Sequence, residues 1–251
     1  MADEYRYDGR SAAELATLLD VPRVELHAEV GSTLDAAHAL AAAGAPAGTL
    51  VLADRQTAGR GRGGRAWASA GGQGLWITLV EHVGDPAAIE VLSLRLGLHA
   101  AAALDRFAAA PVRLKWPNDL YVGAGKLAGI LVEARWRDAR PEWVAVGMGV
   151  NVGRPPGVPG AASLVSGVGR ATVLAALVPA LRAAAACRGS LTPEELEGFA
   201  ARDLARGRRC DAPAGGVVDG ISERGELVVA TPAGRVTARA GSLVFSAEGT
   251  A

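Results

Sequence analysis

The sequence predicts an α/β (α+β) chain, with a mixed central sheet and flanking helices, followed by a small C-terminal β-barrel. Three observations carry this reading. Strand-like and helix-like segments alternate over residues 24–206, and from Asp211 onward short β runs separated by glycines replace them. The 251-residue chain is also 50% hydrophobic, enough to bury a sizeable core. The basic stretch Arg206-Gly207-Arg208-Arg209 marks the change, dividing the chain into residues 1–207 and 208–251.

Ser11-Ala12-Ala13-Glu14 reads as a capping box that opens a short helix reaching about Asp20. Residues 24–29 alternate apolar and polar side chains like a half-buried strand, and an Ala-rich helix from Thr33 to about Ala43 is stopped by Gly44. A strand follows at 49–53, then a Gly/Arg-rich loop at 58–74 that is too long for a turn, then an apolar strand at 75–80. Pro86 to about Ala109 reads as a long core helix, succeeded by strands near 112–116, 126–134 and 143–150. Residues 154–160, rich in Pro and Gly, form a surface loop before helices at about 171–186 and 193–206. Thr192-Pro193-Glu194-Glu195 supplies an N-cap, an N1 proline and an acidic first turn to the second of these. In the terminal unit the β runs fall at 216–221, 226–230, 236–238 and 242–245.

Several function classes are disfavoured. The 26 basic residues balance 26 acidic ones, so no overall field draws the chain to nucleic acid or an anionic membrane. Cys187 and Cys210 are too few for a disulfide framework or a thiolate zinc site, which fits a cytoplasmic protein. The acidic, mixed start lacks the pattern of a secretory signal, and the charge-free stretch 36–53 is broken by His38 and by Gly44 to Gly48, so no membrane span is expected. His27, His38, His82 and His99 show no ligand spacing, and no GxSxG is present. Trp76, Trp136 and Trp143 read as plain core residues.

Composition also points to a site. Lys115 and Lys126 are the only lysines among the 26 basic residues, Asn118 and Asn151 the only asparagines, and Gln56 and Gln73 the only glutamines. Three of these six fall in one short window, Lys115 to Lys126. Within it Pro117 forces Trp116 into an extended conformation, which puts Asn118 and Asp119 on an outward-facing turn between two strands. Lys126 begins an apolar strand, where its stem can lie on the sheet and present its ammonium at a pocket mouth. Gly59-Arg60-Gly61-Arg62-Gly63-Gly64-Arg65-Ala66-Trp67 combines close backbone approach with guanidinium forks suited to phosphate or carboxylate oxygens. That tract fails the phosphate-loop pattern, and Gly147 to Val152 fails the dinucleotide pattern because Val152 replaces its last glycine.

Taken together, the segments 59–67, 115–120, 126–133 and 147–151 resemble, in order and spacing, the biotin protein ligases, and Gly220 to Leu227 is similar to that family's C-terminal barrel. The resemblance covers roughly Val24 to the end. It implies a class II synthetase-like biotin–lipoate ligase catalytic domain followed by an SH3-like barrel. It implies too that biotin's carboxylate attacks the α-phosphate of ATP, giving biotinyl-adenylate and pyrophosphate, and that a lysine of a biotin carboxyl carrier domain of an acyl-CoA carboxylase then takes the biotin. Two anions must meet in this chemistry, so Arg60, Arg62, Lys115 and Lys126 with Mg²⁺ are the candidate catalytic charges.

Carried over by position, Ser32, Thr33 and Gln56 match residues that hold biotin's ureido ring, although a Ser-Thr pair before a helix ordinarily caps it. Gly59, Arg60, Gly61, Arg62, Gly64 and Arg65 match the loop that folds over the adenylate, and Lys126 matches the lysine at the carboxylate and phosphate. Trp67 stacks on adenine or packs as a hinge; Asn118, Asp119, Gly129 and Asn151 are further nucleotide-site candidates, with Asp119 the candidate Mg²⁺ ligand. Two positions depart from the family. Leu34 replaces a frequent Asn, leaving only its backbone to serve, and Gly63 replaces a residue that is often basic. The short segment before the catalytic unit is too small for a helix-turn-helix, so no DNA-repressor role and no specific DNA partner are expected. A monomer or weak homodimer is expected. Two alternatives stand beside this reading: a lipoate or octanoate ligase, and a non-catalytic nucleotide- or RNA-binding module.

Overall fold

A computed structural model describes residues 5–246; the outermost parts of both expected units, residues 1–4 and 247–251, lie outside the described residues. The capping box forms as expected: Ser11 and Glu14 exchange hydrogen bonds at the start of α1 (Ala12–Leu19). Strand β1 (Val24–Val30) leads through α2 (Thr33–Ala42) to β2 (Leu50–Gln56), and this crossover makes the pair parallel. The remaining strands β3 (Gly74–Glu81), β4 (Arg113–Lys115), β5 (Asp119–Val122), β6 (Gly125–Arg137) and β7 (Arg140–Asn151) add antiparallel, in the order β1-β2-β3-β7-β6-β5-β4. The central sheet is therefore mixed.

Its two faces bury different partners. On one face the long helix α3 (Pro86–Leu104) and α4 (Arg170–Ala186) cover Leu50, Leu52, Leu75, Ile77 and Leu79, forming the main core. By length and composition the α3 segment 86–107 is apolar enough to cross a membrane, but its apolar side chains are packed into this core. On the other face α2 sets Ala37 and Ala41 against Val51 and Val80. This small cluster covers only part of the face, and the remainder is open to a ligand. The N-terminal segment is tied in: Tyr7 is buried and donates to the Gly74 carbonyl, while Arg170 lies over its ring and pairs with Asp8 and Asp54.

Several boundaries differ from the sequence reading. Helix α5 (Pro193–Arg202) ends four residues early because the chain turns to run beside β4: Leu204 N donates to Leu114 O, and Asp203 caps Ala205 N. Strand β5 was not expected; only Trp116 to Asn118 form the turn, with a cis Trp116–Pro117 bond, and Asp119 already pairs with Lys115. Trp136 is 42% exposed at the far end of the β6–β7 hairpin and is not a core residue, whereas Trp76 is buried and Trp143 half-buried.

The terminal unit holds β8 (Arg209–Ala212), β9 (Gly216–Ile221), β10 (Leu227–Thr231), β11 (Gly234–Ala238) and β12 (Val244–Phe245), in the order β11-β10-β9-β8-β12. Strand β8 lies partly inside the basic stretch read as a boundary. Among the described residues β11 and β12 do not pair, so this sheet is open where a closed barrel was expected. The segment between them meets the Gly/Arg tract instead, Gly241 O accepting from Arg62 and Ser242 Oγ from Arg65.

Candidate active site

The uncovered part of the α2 face forms a cavity of about 320 Å³, within the range of small-molecule sites. Strand register explains why it is open. Side chains alternate across a strand, so Gly147 and Gly149 share a face of β7; there Gly149 pairs with Gly129 and Trp76, and Gly147 with Leu131 and Thr78. Three glycines in adjacent rows leave a trough. Trp67 lies in it: a Cβ on Gly129 would stand 2.9 Å from Trp67 Cζ3, and one on Gly149 2.6 Å from its Cε2. Neither position tolerates a side chain while the indole stays in place. The Trp67 indole packs against the sheet at these two glycines.

One end of the trough is polar and uncharged. Ser32 caps α2, its Oγ accepting from Leu34 N, which leaves its hydroxyl hydrogen to spend elsewhere. Thr78 Oγ1 donates to Thr33 Oγ1 at 3.0 Å; Thr33 gives both its hydroxyl and its N–H to Gln56 Oε1, and Gln56 Nε2 donates to Ser69. This chain fixes the amide orientation of Gln56 and leaves one Nε2 hydrogen unspent. Ser32, Thr33 and Thr78 are buried polar groups, and Leu34 contributes its side chain to the wall beside Gly147, where the sequence reading allowed it only a backbone role.

The other end is cationic. Lys126 Nζ lies 2.7 Å from Asp119 Oδ1 and 5.0 Å from the Trp67 ring centroid. The Gly/Arg tract is folded as a narrow hairpin, with Trp67 N donating to Gly59 O and Gly61 N to Arg65 O. Arg62 donates to Gly241 O, and Arg65 to Ser242 Oγ, so the β11–β12 connection holds the tip of this hairpin. Burial lowers the Arg62 pKa, and neighbouring Arg65 lowers it further. Arg60 is held by two carboxylates, Asp35 at 2.6 Å and Glu133 at 2.5 Å.

Not every expected residue lines the cavity. Ser32, Thr33, Gln56, Arg60, Gly61, Arg62, Arg65, Trp67, Asn118, Asp119, Lys126, Gly129 and Asn151 do; Gly59, Gly64 and Lys115 do not. Gly59 supports the hairpin base, where a Cβ would meet the Trp67 carbonyl. Lys115 lies under the terminal unit, its ammonium 5.1 Å from the Phe245 ring centroid and 6.0 Å from that of Tyr121. Burial pulls its pKa below that of an ordinary lysine, with Asp119 acting in the opposite direction. The amides of Asn118 and Asn151 brace the walls: Asn118 Nδ2 donates to Ile130 O, and Asn151 Nδ2 to Lys126 O and Ala162 O. Sequence reasoning missed Thr78 and the 155–161 loop, whose Gly160 carbonyl accepts from Lys126 N.

Among the described residues lining the cavity, Asp119 is the only carboxylate. One carboxylate does not make an all-protein cage, but it fits a magnesium ion whose other ligands are nucleotide phosphates and water. Away from the cavity, His99, Cys187 and Glu195 come within 4.8 Å of one another, although Glu195 is engaged by the buried Arg95.

Residues 31–151, which include most of this site, match the Biotin/lipoate A/B protein ligase family. The chain is 38% identical over 131 residues to the bifunctional ligase/repressor BirA of Bacillus subtilis, a segment covering 52% of this chain and 40% of that protein. It thus spans well under two thirds of that relative's length. Among solved structures, the biotin protein ligase from Aquifex aeolicus in complex with biotin and ATP aligns with a TM-score of 0.72 at 26% identity, covering 90% of this chain and 99% of that one. Similarity to the biotin–[acetyl-CoA-carboxylase] ligase of Mycobacterium tuberculosis extends over 240 residues at 33% identity, 88% of each chain. Shared along nearly its whole length with that relative, the chain belongs to the biotin protein ligase family.

Proposed function

We propose that the protein activates biotin with ATP and transfers it to a lysine of a biotin carboxyl carrier domain. The observation that carries this is the division of one trough into a neutral hydrogen-bonding end, at Ser32, Thr33 and Gln56, and a cationic end, at Arg62, Arg65 and Lys126. A molecule with an uncharged polar head, an apolar body and a carboxylate fits that sequence of surfaces. Ser32 and Gln56 each have a donor hydrogen for the ureido group, and Thr33 holds Gln56 in register. Gly147, flanked by Leu34, and the Trp67 indole that covers Gly129 and Gly149 give the ring and tail an apolar wall.

At the cationic end the carboxylate oxygen forms a bond to the α-phosphorus of ATP as the bond to pyrophosphate breaks. Lys126, with Arg62 and Arg65, offsets the charge that builds on the phosphoryl oxygens. Asp119 is the residue that would hold Mg²⁺, which neutralises triphosphate charge when bound; releasing its pairing with Lys126 frees that ammonium for the carboxylate. The Gly59–Trp67 hairpin excludes water from the mixed anhydride. In the second step the carrier's lysine amine attacks the acyl carbon, AMP departs, and an amide remains. We read residues 208–251 as the SH3-like unit, whose 239–243 segment steadies the hairpin tip. A cytoplasmic setting accompanies this function.

The test is transfer to a purified carrier domain of an acetyl-CoA carboxylase, followed by intact mass. Addition of one biotin, dependent on ATP and on the carrier lysine, supports the reading; no addition, or addition of lipoate instead, rejects it.

A further inference from the structure

Arg60 does not point free charge at the cavity. Its guanidinium is clamped by Asp35, from the first turn of α2, and by Glu133, from β6. Behind Glu133 the contact continues: Glu133 Oε2 lies 3.1 Å from His38 Nε2, and Trp143 Nε1 lies 3.0 Å from His38 Nδ1. An indole nitrogen only donates, so Nδ1 must accept and Nε2 must carry the hydrogen given to Glu133. This order fixes the tautomer of His38, the rotamer of Glu133 and hence the position of Arg60. Three elements, α2, β6 and β7, converge on one loop residue.

We infer that Glu133, His38 and Trp143 are positioning residues that pin the first arm of the Gly59–Trp67 hairpin through Arg60. The second arm is already fixed by Trp67 in its glycine trough, and the tip by Gly241 and Ser242. With both arms and the tip held by these contacts, the hairpin forms one wall of the cavity. Cutting the chain at Glu133 leaves the guanidinium with the exposed Asp35 alone, and an ion pair of that kind holds little.

The consequence for substrate rests on the ligase reading, but the tether itself does not, and the two are separable. Limited trypsin digestion of the full-length protein reports opening of the hairpin through cleavage after Arg62 and Arg65. Glu133→Gln and Trp143→Phe, the latter keeping the ring and losing the N–H, should each speed this cleavage roughly three- to tenfold while melting stays cooperative. In an Arg60→Gln background Glu133→Gln should add nothing, because it acts through the missing guanidinium. If biotin is the substrate, the same variants should raise its KM several-fold with kcat nearly unchanged. Wild-type cleavage rates in both variants, or an equal effect of Glu133→Gln with and without Arg60, would overturn the tether. A tether that holds in a protein without biotin turnover would instead reject the proposed function.

Discussion

The Lys126 ammonium stands between Asp119, at 2.7 Å, and the face of Trp67, at 5.0 Å, so the charge of the cavity's lysine is paired within the protein. The proposed adenylation, a reaction between two anions, needs that charge released. Lys126→Ala should therefore lower biotin-dependent ATP–pyrophosphate exchange by about 10²- to 10³-fold, the usual loss when one preorganised charge or donor is removed. Asp119→Asn keeps Lys126 but loses the carboxylate, and the Mg²⁺ concentration for half-maximal exchange should rise at least about tenfold. A titration of exchange rate against Mg²⁺ measures both.

Lys115 serves as a control for this assignment. Its ammonium faces Phe245 and Tyr121 and does not line the cavity, so Lys115→Ala should cost at least about tenfold less exchange than Lys126→Ala. Its loss should appear as weakened docking of the terminal strand, seen as faster hydrogen exchange at β12.

Gly149 has room for no side chain beneath Trp67. Gly149→Ala should push the indole off the floor and weaken biotin binding by about 10²-fold, the cost of roughly an ångström of misplacement. At Gly147 the nearest atoms to a new Cβ are Leu131 O and Leu34 Cδ1, both at 3.3 Å, so Gly147→Ala should weaken binding less. Calorimetric titration of the two variants with biotin separates them.

How far the site was legible follows from this chain's composition. Where lysine, asparagine and glutamine are so scarce, Lys126, both asparagines and Gln56 stand out, and all four line the cavity. Gly147 and Gly149 were visible as a failed dinucleotide motif, but their purpose depends on register with Gly129 and on Trp67 arriving from a distant loop. Lys115 lies in the same motif as Asn118, yet its surroundings are made by Phe245, which no local pattern brings there. The 155–161 loop read as surface because proline and glycine usually mark one; here it bonds along β6 and closes a wall. Strands and helices with long, regular patterns were read within a few residues, whereas the four-residue β5 and β8 were too short to show a period.

Outside the site, Arg95 is fully buried and its charge is met by Glu195, which also caps α5 through Thr192 N. Glu195→Ala should destabilise the fold by about 3–5 kcal/mol, because an unpaired guanidinium is left inside. Burial pushes the Glu195 carboxyl upward, but the Arg95 hydrogen bond, the Thr192 amide and the Arg95 charge outweigh it and hold the pKa below the ordinary 4.5. A depressed carboxyl pKa means the unfolded chain takes up the proton first. The stability difference between wild type and variant should thus be full above pH 4.5 and shrink as pH falls through the lower, folded-state value. Urea unfolding of both proteins at pH 7, 5 and 3.5 checks the sign.

The most direct measurement is ATP–pyrophosphate exchange by the purified protein with Mg²⁺, run in parallel with biotin, lipoate and octanoate. Exchange with biotin alone is the expected result, since the trough's polar end is built from donors suited to a ureido head that the other two acids lack. Exchange with lipoate or octanoate, or with none of the three acids, would contradict it.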